Sequence, residues 1–321
     1  MARGRGASWR GAVVAACVVT AGAAACVRAD VPESLPGPTS TTTTTAAPTA
    51  EPACGNPEAS LRPAGPATPV VPAGSTMAEI QGRGLVRVGV DTATLRLSSV
   101  DPLTGEFVGF DVDIAREVAA ALFGDPGRIA FVGIPSSDRV QALVDGRVDM
   151  VADVFTPTCS RREEIDFSTN YYTSPQVVLV RDDDPAQTTA DLAGHRICGS
   201  AGSTTLARVV EQLPEVEAVP AAERADCLVK LQQGEVDGMS TNDTILVGFA
   251  AQDPNLRFLG GRLFEEPTAI GLPLGREDWV RYVNAVLDQV RTSGRWTELY
   301  NTHLADLLGP TAGPPAPVYL D

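Results

Sequence analysis

Lysine is almost missing: Lys230 is the only one in 321 residues. Without a polybasic lysine tract, neither a lipid-headgroup patch nor a DNA-binding stripe can be built from it. The balance of 25 basic against 40 acidic residues leaves a formal charge of −15. That argues against a nucleic-acid partner, because phosphate binding draws on clustered basic charge. Histidine is nearly as scarce, with only His195 and His303, which leaves little material for histidine-based metal or acid–base sites. No Cys-x-x-Cys spacing is present, which disfavours zinc and thioredoxin-type chemistry. Neither a Gly-x-Ser-x-Gly elbow nor a Walker A loop occurs. No cofactor, metal or enzymatic activity is therefore expected. What is abundant is apolar material: 44% hydrophobic residues against 20% charged ones, enough for a sizeable core across two domains.

The longest apolar run, residues 12–25, is only about 14 residues, short of the ~20 that a membrane-spanning helix needs. It follows Arg3, Arg5 and Arg10 and ends at Cys26, the layout of an export signal. Ala23, Ala24 and Ala25 before Cys26 resemble a lipobox. The expectation is a lipoprotein signal over 1–25, a lipid on Cys26 and a place on the outer face of the cytoplasmic membrane. An ordinary signal peptide cut elsewhere is the alternative, since leucine is usual where Ala23 stands. Three arginines would leave with the signal, taking the charge from −15 to −18. Residues 26–76 are rich in Pro, Thr and Ala and read as a disordered tether, because they cannot bury enough apolar area to offset their ordering entropy.

Cys54, Cys159, Cys198 and Cys227 remain once Cys17 and Cys26 are set aside. An even number in an exported chain implies two disulfides, with three pairings open. The pairing expected is Cys198–Cys227, joining a strand to a helix locally, with Cys54–Cys159 pinning the tether's end to the folded body.

From Leu85 onward short β-branched runs alternate with amphipathic helical stretches, the pattern of an α/β protein with mainly parallel strands. Strands are predicted at 86–90, 129–134, 148–152, 177–180, 196–198, 236–239 and 256–259. Helices are predicted at 111–122, 138–144, from 204, at 223–232 and 242–251, and over 276–303 with a break at Ser293-Gly294.

Gly109-Phe110-Asp111-Val112-Asp113-Ile114, followed by Val118, Ala119 and Leu122, resembles the signature of the polar-amino-acid solute-binding proteins of ABC importers. Further blocks agree in order: Thr156-Pro157-Thr158 with Arg161 and Ile165-Asp166-Phe167-Ser168, then Gly199 to Thr204, then Val236-Asp237-Gly238 with Thr241-Asn242-Asp243, and finally Ser293-Gly294-Arg295-Trp296. The likeness covers roughly residues 78–308 and is nearest in flavour to the glutamate- and glutamine-binding lipoproteins. It implies a periplasmic-binding-protein-like fold of two lobes joined by two crossing hinge strands. Lobe 1 would comprise 77–171 and 268–308, lobe 2 would comprise 172–267, and 309–321 would form a tail.

The resemblance also assigns the site. Arg161 would bind a ligand α-carboxylate bidentately, facing backbone N–H groups at the start of the helix that follows Gly202, Ser203 and Thr204; Thr156 would add a hydroxyl. On the ammonium side the chain departs from the family: Asn242 stands where aspartate is usual, Val154 replaces a glycine and Thr268 a tyrosine. Asp91, Asp153 and Asp243 are then the candidate acceptors. Arg96, in a loop that has lost the usual aromatic, together with Arg139 favours an acidic or amide side chain. The implied role is capture of glutamate, glutamine, aspartate or asparagine by a monomer that delivers it to an ABC permease. Two other roles stay open: a ligand-sensing subunit for a membrane signalling protein, and a dehydratase-like enzyme using Asp153.

Overall fold

A computed structural model describes residues 52–320; the signal, Cys26 and residues 26–51 of the expected tether lie outside them. Lobe 1 begins with α1 (Thr76–Arg83) and β1 (Val86–Val90), whose outer valines are fully buried. A small antiparallel sheet follows, formed by β2 (Ala93–Thr94), β3 (Ser98–Val100) and β4 (Phe107–Val108). It delivers the chain into α2 (Phe110–Phe123) through Gly109, whose φ is 135° and where a side chain would strike the Leu97 carbonyl. No residue with a Cβ fits there. Helix α2 buries Phe110, Ile114, Val118 and Leu122, each contributing roughly 1.5–3 kcal/mol. Then come β5 (Ile129–Gly133), α3 (Arg139–Val144), β6 (Met150–Phe155) and β7 (Ile165–Phe167).

Lobe 2 holds β8 (Tyr172–Arg181), β9 (Arg196–Ser200), α4 (Thr204–Gln212), β10 (Glu217–Ala221), α5 (Arg224–Gln232), β11 (Gly238–Asn242), α6 (Asp243–Ala250) and β12 (Leu256–Phe258). The chain returns along β13 (Phe264–Pro273) to α7 (Glu277–Thr292), α8 (Arg295–His303) and α9 (Ala305–Leu308). The continuous sheet runs β10-β9-β11-β8-β13-β6-β1-β5. Strand β13 joins the lobes: Phe264 to Thr268 pair antiparallel with β8, whereas Ala269 and Gly271 pair with β6 and Gly271 to Pro273 with β7. The expected two-lobe α/β fold with crossing strands is therefore the observed one. Indole N–H groups tie the C-terminal helices to lobe 1, Trp279 donating to the Asp149 carbonyl and Trp296 to that of Tyr171.

The predicted strand at 148–152 extends to Phe155, every residue of it buried. Asp153 interrupts the apolar run and hides that extension from a pattern reading. Strand β13 is missed for a similar reason, since it carries Glu265, Glu266 and Pro267 yet is buried from Glu266 through Leu272.

The tether needs correction over residues 52–75. There the chain is an ordered strap on lobe 1, with Ala59, Ser60 and Ala67 buried. Ser60 Oγ donates to the Phe167 carbonyl at 2.7 Å, and Asn284 Nδ2 donates to the Leu61 carbonyl at 2.7 Å. Arg162 donates to the carbonyls of Pro57 and Ala59, and Gln289 to that of Ala67. Composition understated this segment's order because prolines lower the entropy lost on ordering and lobe 1 side chains satisfy its backbone. The C-terminal tail joins the strap through a parallel bridge between Ser60 and Tyr319. Both disulfides, Cys54–Cys159 and Cys198–Cys227, are present with the expected pairing.

Candidate functional site

Where the lobes meet, the ends of β1 and β6, the loop after β6, the hinge strand β13, and the starts of α4 and α5 come together. Arg161 lies in that loop, held by the bridge at Cys159 two residues earlier. Its guanidinium donates to the Thr156 carbonyl at 2.6 Å and, across the interface, to the Gly202 carbonyl of lobe 2 at 2.9 Å. It also stacks 4.7 Å from the centre of the Phe155 ring, which Arg139 approaches to 4.4 Å. Glu266, on β13, accepts from the Thr156 hydroxyl at 2.7 Å and from the Thr204 hydroxyl at 2.9 Å. Arg161, Thr156 and Thr204 therefore meet at one place, and the two threonines share a buried hinge carboxylate that the sequence did not flag. Ser203 caps α4, accepting from Leu206 N–H and donating to the Ser200 carbonyl.

A second cluster lies deeper. Arg224, the first residue of α5, crosses from lobe 2 and donates to Asp153 Oδ1 at 2.5 Å; the same nitrogen stands 3.3 Å from Asp91 Oδ2 and 3.2 Å from Thr94 Oγ1. Arg139 closes the other side, 3.8 Å from Asp153 Oδ2 and hydrogen-bonded to the carbonyls of Ser136, Asp153 and Val154. All four charged side chains are at most 5% exposed. Burial favours the neutral guanidinium of Arg224, yet Asp153 and Asp91 outweigh it and raise its pKa above the ordinary value. Burial lowers Arg139 to about 9, which still leaves it protonated at neutral pH. The Asp153 carboxyl stays above its usual range through burial, with Arg224 and Arg139 opposing. Two arginines face two aspartates, so the cluster is close to neutral.

Beneath it, Asp111 accepts from Tyr171 Oη at 2.8 Å and from Val154 N–H at 3.0 Å. Burial pushes its carboxyl up to about 7 despite those donors. Val154 keeps a left-handed φ of 41°, an outlier for a β-branched residue. The Asp111 acceptor and the Arg139 donor hold its peptide there.

Two expected ligand residues sit elsewhere. Arg96 pairs with Asp306 at the surface at 2.5 Å, because its own left-handed φ of 73° turns the loop that way. Asn242 is buried and donates to Ser174 Oγ at 2.7 Å, so its amide serves the packing of β11 on β8. Asp243 begins α6, and burial raises it to about 6. Arg224 was missed as a site residue, although one signal was available: an arginine in the first turn of a helix opposes the helix dipole and needs carboxylates from elsewhere.

Residues 86–306 match the family of bacterial extracellular solute-binding proteins, family 3. The glutamine-binding protein GlnH of Bacillus subtilis is 29% identical over 226 residues, covering 70% of this chain and 83% of that protein. The glutamate-binding protein GluB of Corynebacterium glutamicum is 30% identical over 237 residues, covering 70% and 79%. Among solved structures, the solute receptor for L-cysteine of Neisseria gonorrhoeae superposes with a TM-score of 0.70 at 27% identity, covering 73% of this chain and 96% of the receptor. An arginine-binding protein mutant from T. maritima superposes with 0.66 at 26% identity, covering 71% and 99%. With the crossing strands and the two lobes, this chain belongs to the family 3 extracellular solute-binding proteins, which serve amino-acid ABC transporters.

Proposed function

We propose that this solute-binding protein captures an acidic or amide amino acid (glutamate, glutamine, aspartate or asparagine) between its lobes and presents it to an ABC permease. The observation that carries the reading is Arg161 reaching from lobe 1 to Gly202 at the start of α4, beside the Thr156 and Thr204 hydroxyls. A guanidinium fork, two hydroxyls and a helix N-terminus are the groups that recognise an α-carboxylate. Support for an acidic or amide side chain comes from the names of the glutamine- and glutamate-binding relatives. It also comes from the neutralised Asp91–Asp153 pair, which offers no unpaired anion to a cationic side chain. The protein would work as a monomer held by lipid on Cys26.

Calorimetric titration with all twenty amino acids and 2-oxoglutarate tests the reading. Binding of one or more of the four named amino acids, each recovered unchanged, is the expected result, with a ligand at 100 times its Kd adding about 2.7 kcal/mol to stability. Binding of lysine or arginine alone, or of none, would overturn it.

A further inference from the structure

The buried cluster at the base of the cleft contains a guanidinium supplied by the chain itself. Arg224 belongs to lobe 2, whereas Asp91, Thr94 and Asp153 belong to lobe 1, so its hydrogen bonds exist only while the lobes are together. The side chain is 5% exposed, and Asp153 directs one oxygen at it while the other stands 3.8 Å from Arg139 without a hydrogen bond. Two carboxylates and a hydroxyl converge on Nη1 and the Asp153 carbonyl accepts from Nη2 at 3.4 Å, which together form a guanidinium-binding site. We propose that Arg224 is the resident occupant of a cation site formed by Asp91 and Asp153, latching the lobes together and barring ligands with cationic side chains.

The alternative is an ordinary structural ion pair, and charge and shape separate the two. If the site is a guanidinium receptor, emptying it leaves a pocket that fits a free guanidinium and rejects a neutral molecule of similar shape. If Arg224 only fills space, no soluble cation replaces it better than a neutral analogue does. The selectivity part rests on reading the cleft as an amino-acid site; the occupancy part does not.

Arg224→Ala is examined by thermal unfolding with millimolar methylguanidinium, urea serving as the neutral analogue. The variant should melt below wild type and recover with methylguanidinium in a saturable manner, by about 3 °C at ten times its Kd. Wild type should show no such rise, and urea should have no effect on either. Should the variant fail to fold, its refolding yield is read instead, and methylguanidinium but not urea should restore it. The double variant Arg224→Ala/Asp153→Asn, which removes the stranded charge, should fold and lose the response. L-arginine should bind Arg224→Ala at least tenfold more tightly than wild type.

Equal responses to urea and methylguanidinium, equal responses of wild type and variant, or rescue that persists in the double variant would overturn the proposal, as would tight arginine binding by wild type. Rescue is read on stability alone. If it succeeds while wild type binds no amino acid, the occupancy stands and the amino-acid reading falls; if wild type binds glutamine and rescue fails, the reverse holds.

Discussion

Replacing Cys54 and Cys159 together by serine removes a cross-link that closes a loop spanning 105 residues of sequence. In the chain-entropy account a loop of ~100 residues restricts the unfolded state by about 4.7 kcal/mol. Cys54 is exposed and Cys159 lies at the edge of the core, so serine adds little cavity or desolvation cost and the entropic part should dominate. An unfolding entropy of ~2.1 cal/mol/K per residue over about 270 residues converts that loss into a fall in Tm of ~8 °C. The strap should stay docked in the folded protein, because Ser60, Leu61, Pro57 and Ala59 keep their hydrogen bonds to Phe167, Asn284 and Arg162. Scanning calorimetry of the double variant beside wild type measures the shift. Hydrogen exchange at 158–162 reports whether the Arg161 loop loosens once its anchor is cut. A shift below ~2 °C with one transition would refute the reasoning. It would mean that the strap leaves the body before the rest unfolds, so that the cross-link restrains only a local segment. The Cys198–Cys227 bridge, separated by 29 residues, should be worth ~3.6 kcal/mol on the same relation, plus a packing loss, since both sulfurs lie in the core.

Two other outcomes are expected. Arg161→Ala should weaken whichever amino acid binds by about 30-fold to several thousand-fold, the worth of a charge-assisted pair of ~2–5 kcal/mol; apo stability should fall far less, by on the order of 1 kcal/mol, the worth of an ordinary hydrogen bond such as those it donates to the Thr156 and Gly202 carbonyls. Unaltered affinity by calorimetry would show that the carboxylate lies elsewhere. Asp111 has a folded pKa raised from 3.8 to about 7 by burial, so its stabilising contribution is complete below pH ~4 and is lost as pH rises through 7, on the order of 4 kcal/mol in full. Urea unfolding of wild type between pH 4 and pH 8 should reveal that decline and Asp111→Asn should flatten it; equal slopes would contradict the assignment.

Much of the architecture was legible because it is written in local pattern. The strand of residues 86–90, the helix that follows Gly109 and the helix break at Ser293-Gly294 follow from hydrophobic period and glycine placement within a few residues. Arg161, Thr156 and Thr204, which lie in the motif blocks, are brought together by the fold. The partners of Arg96 and Asn242 were not legible, because a side chain's direction depends on packing: Arg96 turns to Asp306, 210 residues away, and Asn242 to Ser174, 68 residues away.

The sequence by itself determined the family and the two-lobe α/β class, both of which rest on residue identity and short-range spacing, whereas the pairing of the four cysteines was fixed only by the fold. Only the tertiary structure decided that residues 52–75 form a strap, that Glu266 joins the two threonines, and that Arg224 enters the acid pair of the opposite lobe. Each of those outcomes brings together groups 62 to 224 positions apart. A buried charge is tolerated only where an opposite charge from elsewhere in the chain meets it, and that meeting is a property of the folded backbone, which no local pattern of residues encodes.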